Sequence, residues 1–323
     1  MRSRNVESKQ LGAWLFAGMS APLALFAGGM AWQTVALATA ICLTVCYLVV
    51  QADVFPAKWL CATELTWLVV ALAAFGRWIS GSWPSGSVYP AVPLTLLLLG
   101  AISAGRGTEA AGRTGSVIFW LLALVYSVVV AAGLGNIEVK ELAAYDSGLE
   151  LRLVSVLLLP SLAVWLKREG RSVPLGSVAG AGVWAVLVSV MVTGGLSLQV
   201  AMDTELPLYQ WLEGLNVLGV LQRFESLVSA ALTMGWFSAV SFILSVAGTL
   251  ADQIKEGSYG KGVWCAGAAA GIVMIQNVSI TTEIVVFGAV FMWVIVPLLA
   301  AVWGRNKKLK FMKIMLDKLS SWC

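Results

Sequence analysis

The chain has no histidine. That absence excludes the Ser-His-Asp triad, the Cys-His pair and every His-based metal site. Charge is scarce too: 12% of residues are Asp, Glu, Lys or Arg, where a soluble domain carries roughly 25%. The five cysteines, Cys42, Cys46, Cys61, Cys265 and Cys323, show no CxxC spacing, and four lie in apolar segments. A thiol there packs as a small hydrophobe, so neither a disulfide, a metal nor any other cofactor is expected. With no catalytic constellation, the chain does not read as an enzyme.

What the chain has is apolar length. Of 323 residues, 59% are hydrophobic, and the mean hydropathy is +0.86. The apolar runs are continuous rather than alternating, so helices, not barrel strands, are expected to cross the bilayer. Runs of about 17–25 residues fall at 11–30, 33–51, 59–79, 88–104, 115–135, 149–166, 176–198, 224–250, 263–281 and 284–303. The eighth is long enough to tilt or protrude. The reading is a single all-α membrane domain of ten spans, with a basic tail at 304–323.

Charge distribution orients it. With the N-terminus cytoplasmic, every one of the 21 Lys and Arg except Arg77, Lys140, Arg152 and Arg223 falls inside, as the positive-inside rule requires. The outer loops carry Glu138, Glu141, Asp146, Glu150, Asp203, Glu205 and Glu213. Both termini are therefore expected in the cytoplasm. Cleavage of residues 1–31 as a signal peptide is a rival reading, but their apolar stretch exceeds the usual 7–15 residues or so. The tail segment "RNKKLKFMKIMLDK" has apolar residues at helical spacing. It reads as a topological anchor or as a segment lying on an anionic leaflet.

Two spans contain a proline near their midpoint: Pro22 in "AGMSAP" and Pro160 in "SVLLLPSLAVWL". Proline withholds an N–H and clashes with the carbonyl four residues before it. The two spans are five apart, and five is odd, so a second five-helix unit enters the membrane inverted. Repeat one covers about 10–135 and repeat two about 149–303. Matched interruptions in two halves point to an inverted-repeat architecture with its site at the midplane. On that reading helices one and six are broken, and backbone freed at Ala17, Gly18, Met19, Ser20, Ala21 and Pro22, and at Leu159, Pro160 and Ser161, lines a cavity and holds a polar ligand. A plain proline kink is the alternative in both spans.

Three stretches carry a resemblance: "ESKQLGAWLFAGMSAP", "GRGTEAAGRTGSVIFWLLALV" and "LYQWLEGLNVLGVLQRFESLVSAALTMGWF". Their order and spacing resemble the spore-germinant receptor B-subunit family, permease-like members of the amino acid–polyamine–organocation superfamily. The resemblance implies a ten-helix, five-plus-five inverted repeat of the LeuT type. It also implies a pocket for a small germinant such as an amino acid, beside the breaks in spans one and six. It further implies an A-type membrane subunit and a C-type lipoprotein as partners, in a bacterial cell membrane or spore inner membrane. The chain departs from the superfamily in span six, which lacks a glycine-rich unwound stretch.

Several polar residues complete the expected site. Glu64 is the one acid well inside a span, a candidate for proton coupling; alternatively it reaches solvent or Lys58. Ser229 and Thr233 share a face of span eight, and Thr63 and Trp67 a face of span three, each pair a candidate pocket wall. Arg223 and Glu225 are candidate rim or gating residues. Gly-rich "AGAAAGIV" at 266–273 reads as close helix packing, not a phosphate loop. The leading expectation is a germinant-receptor subunit; the alternatives are a proton-coupled amino-acid transporter acting alone and a scaffold without a ligand.

Overall fold

The computed structural model describes residues 7–52, 54, 57–82, 90–146, 148–166, 175–215 and 224–302. Regular structure among them is entirely helical. The principal helices are α1 (Ser8–Ala27), α2 (Trp32–Gln51), α3 (Lys58–Gly81), α4 (Ala91–Gly105) and α5 (Thr108–Gly133) in the first half. The second half has α6 (Leu151–Leu157) and α7 (Ala163–Leu166), joined by a 3-10 turn at Leu159–Leu162. It continues with α8 (Leu175–Leu196), α9 (Leu198–Asp203), α10 (Pro207–Gly214), α11 (Phe224–Ile254), α12 (Tyr259–Ile275) and α13 (Thr282–Val290). A π turn, Phe291–Ile295, carries α13 onward to Val302.

Seven of these helices are long and apolar enough to cross a membrane, and shorter apolar helices lie at Ala91–Gly105, Leu151–Leu166 and Tyr259–Ile275. The protein is an all-helical membrane protein. Its outer surface bears this out: Leu37, Leu98, Trp120, Leu124, Phe287 and Leu299 are exposed, apolar groups that lipid solvates. At 31 residues α11 is the longest helix. At about 1.5 Å per residue it exceeds the roughly 30 Å hydrocarbon thickness, as expected of the eighth run.

Contacts between helix ends agree with alternating passage. Trp32 Nε1 and Gln33 Nε2 donate to the Leu142 carbonyl, and Thr34 Oγ1 to that of Asp146. Arg77 Nη2 donates to the carbonyl and side chain of Asn277 at 2.8 Å. At the opposite ends, Cys61 Sγ donates to Gln253 Oε1 and Tyr259 OH to the Ala104 carbonyl.

One expectation is overturned. Helix one is not broken: Ser8–Ala27 is a single α-helix with Pro22 inside it. A proline in a helix interior costs about 3 kcal/mol, and tertiary packing offsets that here. Residues 17–22 are all buried, enclosed by α11, α8 and α5. Gly18 lies against the Ala239 backbone, so that a Cβ there would stand 3.0 Å from Ala239 Cα. Gly235 meets Ala21 and the Ala17 carbonyl in the same way. An opened turn would have to break both contacts. Span six does depart from α geometry at Pro160, but only by tightening to a 3-10 turn, with Ser161 N donating to the Leu158 carbonyl at 3.0 Å. The interruptions are therefore not a matched pair. A third irregularity is the π turn of α13. Pro297, just beyond it, has no N–H for the Trp293 carbonyl, and the helix widens there.

Candidate functional site

The peptide groups expected to grip a solute are committed within the protein. Ser20 Oγ donates to the Ala17 carbonyl and accepts from Tyr126 OH, both at 3.1 Å. Trp184 Nε1 donates to the Ser20 carbonyl at 3.1 Å, and its ring stacks on Tyr126 with centroids 4.0 Å apart. Beside this stack a concavity of about 460 Å³, lined by Phe16, Tyr126, Ser127 and Trp184 among others, opens sideways along α5. Its walls are almost wholly apolar.

The meeting point of spans one, three, six and eight, where a hollow is expected, is filled with rings. Phe26 of α1 packs edge-on against Trp78 of α3 (5.8 Å) and Trp236 of α11 (6.3 Å). Phe75 contacts Trp78 at 5.0 Å and Trp236 at 5.7 Å. Edge-on pairs set the positive ring edge against the negative face. From span six, the Arg152 guanidinium lies over Phe26 at 4.9 Å. The Trp236 indole N–H, in a side chain only 1% exposed, has no hydrogen-bond partner among the described residues. The junction thus sets a cation, itself paired with Glu150, and an unused donor beside an aromatic cluster.

Glu150 fixes Arg152 through Nε at 2.8 Å and Nη2 at 3.1 Å. The hydrogen bond from Arg152 holds the Glu150 carboxyl below its usual range, burial opposing and the Arg152 charge adding. With the folded value depressed, the pair's stabilisation is complete above the ordinary Glu value of about 4.3 and disappears as pH falls through the lowered one. Glu150→Gln is expected to lower the unfolding midpoint at neutral pH by no more than the equivalent of about 1 kcal/mol, and wild type and variant should converge in acid. A difference that persisted in acid would show that the carboxylate charge is not what matters.

The other expected site residues scatter. Leu159, Pro160 and Ser161 are buried, and Ser161 Oγ donates to the Leu158 carbonyl. Thr63 is exposed and donates to the Leu60 carbonyl of its own helix. It does not form a wall with Trp67, whose ring sits directly over Gly288 of α13. Ser229 Oγ donates to Tyr209 OH at 3.2 Å and Thr233 Oγ1 to the Ser229 carbonyl at 2.7 Å, so this pair serves α10 and its own helix. Glu225 is half-buried in the first turn of α11, and Arg223 lies outside the described residues. Glu64 is 0% exposed; it reaches neither solvent nor Lys58.

Sequence reasoning missed the aromatic cluster, Arg152 as its cation, and α10. The last was readable: Pro207 at the first turn, then Leu208, Tyr209, Trp211 and Leu212 buried with Gln210 and Glu213 exposed, an amphipathic pattern at helical spacing. No protein-family model matches the chain, and no curated protein sequence matches it.

Proposed function

We propose that the chain is a permease-type, five-plus-five membrane subunit that senses a small amino-acid-like solute, in the manner of a germinant-receptor B subunit. The supporting observation is a symmetry in which helices touch. Replacing each span by the one five positions away turns the α1–α5 contact into that of span six with α13. The same exchange turns α3–α4 into α11–α12, α3–α12 into α11–α4, and α1–α8 into span six with α2; each of these contacts is present. The α2–α8 contact maps onto itself. Among the described residues the extensive α1–α11 contact lacks a counterpart of similar size, and so do the smaller α4–α5 and α7–α11 contacts. An inverted repeat is the simplest source of such a pattern.

On this reading the structure is a closed packing, with Phe26, Phe75, Trp78 and Trp236 occupying the solute's place. Ligand binding selects a packing in which the rings part, and the shift passes to an A-type membrane subunit and a C-type lipoprotein. The tight α1–α11 seam supports sensing over transport, because a transporter must move its first helix. The test is the unfolding midpoint of the purified chain in nanodiscs, read by tryptophan fluorescence against each amino acid in turn. At least one should raise it, by the equivalent of about 2.7 kcal/mol at a hundredfold excess over Kd. If none does, the sensing role is lost and the scaffold reading replaces it. A proton-coupled transporter is the second reading, favoured by the buried Glu64; uptake of labelled amino acid into liposomes by the chain alone would establish it.

A further inference from the structure

Among the described residues, Glu64 is the only Asp, Glu, Lys or Arg that is fully buried. It stands on α3 two turns from the Lys58 end, where two irregular helices come together. The π turn Phe291–Ile295 of α13 packs against the 3-10 turn Leu159–Leu162 of span six. The indole N–H of Trp293, inside the π turn and 1% exposed, faces the Glu64 carboxyl. Yet neither carboxyl oxygen nor that N–H closes a hydrogen bond of standard geometry. A carboxylate left unpaired in such a place pays its full desolvation cost.

The surrounding charges do not change that. The elements against α3 are α4, α11, α12 and α13. Their titratable residues are Glu225 and Asp252 on α11, Tyr259, Lys261 and Cys265 on α12, and Glu283 on α13. All but Cys265 sit at helix ends, Cys265 is exposed, and α4 has none. α3 itself carries Lys58 and Arg77 toward its two ends, and the buried Cys61 about one turn from Glu64. The Cys61 thiol donates to half-buried Gln253 at the end of α11.

We propose that Glu64 and Trp293 form a proton-binding site inside the membrane, seated at the junction of the π turn and the 3-10 turn. The bound species is the proton. On release, the O–H bond of the acid breaks, the proton passes to water at the Lys58 end, and the carboxylate is left to accept from the Trp293 N–H. The site stands whether or not the chain senses a solute.

The experiment is an infrared pH titration of the full chain in nanodiscs. The expected result is a carboxylic-acid C=O band at neutral pH that is absent in Glu64→Gln and disappears from the wild type as pH is raised. Trp293→Phe should keep the band and move its titration. Should Glu64→Gln fail to fold, Glu64→Asp, which keeps the acid but alters its environment, must shift the band. Three results overturn the proposal: no Glu64-dependent acid band at neutral pH, a band that never titrates, or a titration indifferent to Trp293→Phe.

Discussion

Gly18→Leu is expected to force α1 off α11 and to lower the unfolding midpoint markedly. A Cβ at this position stands 3.0 Å from both Cα and N of Ala239. Those are backbone atoms of a 31-residue helix and cannot rotate away as a side chain would. Facing it, Gly235 receives Ala21 and stands 3.1 Å, by its own added Cβ, from the Ala17 carbonyl. The two glycines therefore interlock, and a side chain on either spoils both contacts. Trp14 Nε1 closes the same seam, donating to the Ser238 carbonyl at 3.1 Å and Ser241 Oγ at 3.2 Å. In lipid, helices associate through this kind of close packing, because hydrocarbon tails are as apolar as leucine. Overpacking typically costs 1–3 kcal/mol, and about that loss is expected for Gly18→Leu, with Gly18→Ala falling between. Gly267→Ala is the control: a Cβ there meets Ala101 at an ordinary 3.7 Å, and the variant should unfold with the wild type. Equal midpoints for Gly18→Leu and wild type, in mixed micelles titrated with a denaturing detergent, would falsify the continuous, tightly seated α1.

The membrane class and the positions of the long apolar helices were legible because hydropathy is a sum over some twenty residues, and such sums survive local detail. The state of the first span was not legible for the opposite reason. "AGMSAP" carries every local signal of interruption, but its neighbours are remote in sequence: Tyr126, Trp184, Gly235 and Ala239. Glycine and alanine there admit another helix rather than open the chain, and sequence alone does not separate the two uses of a small residue. At Pro160 the helix departs from α geometry only by a tightened turn, because Ser161 N still finds the Leu158 carbonyl. The tryptophans are ambiguous in a similar way. Interface belts account for exposed Trp59 and Trp120, yet Trp14, Trp236 and Trp293 are at most 1% exposed. Glu64 was visible as an acid within an apolar run; Trp293 as its neighbour was not, because only the packing of the last span against α3 brings them together.

Trp236→Ala is expected to have the second large effect and to report on the proposed gate directly. The side chain is 1% exposed and makes edge contacts with Phe26 at 6.3 Å and Phe75 at 5.7 Å. Removing a buried tryptophan typically costs 3–5 kcal/mol through lost contacts and the cavity left behind. Lipid reduces the transfer part of that cost but not the cavity part, so a loss toward the lower end, about 3 kcal/mol, is expected. Trp120→Ala, at a side chain 72% exposed to lipid, should change the midpoint by no more than about 0.5 kcal/mol. The cavity has a definite shape, which supplies a second readout: an apolar cavity that stays dry takes up an aromatic molecule of matching size. Indole should therefore raise the midpoint of Trp236→Ala and leave that of the wild type unchanged. If the rings are what keeps the solute site shut, the same variant should bind the amino-acid ligand more tightly than wild type, because the closed packing no longer competes for the space. A destabilised variant that indole does not restore would mean that α1, α3 and α11 collapse to fill the gap. The junction would then be core packing, not a site awaiting a ligand.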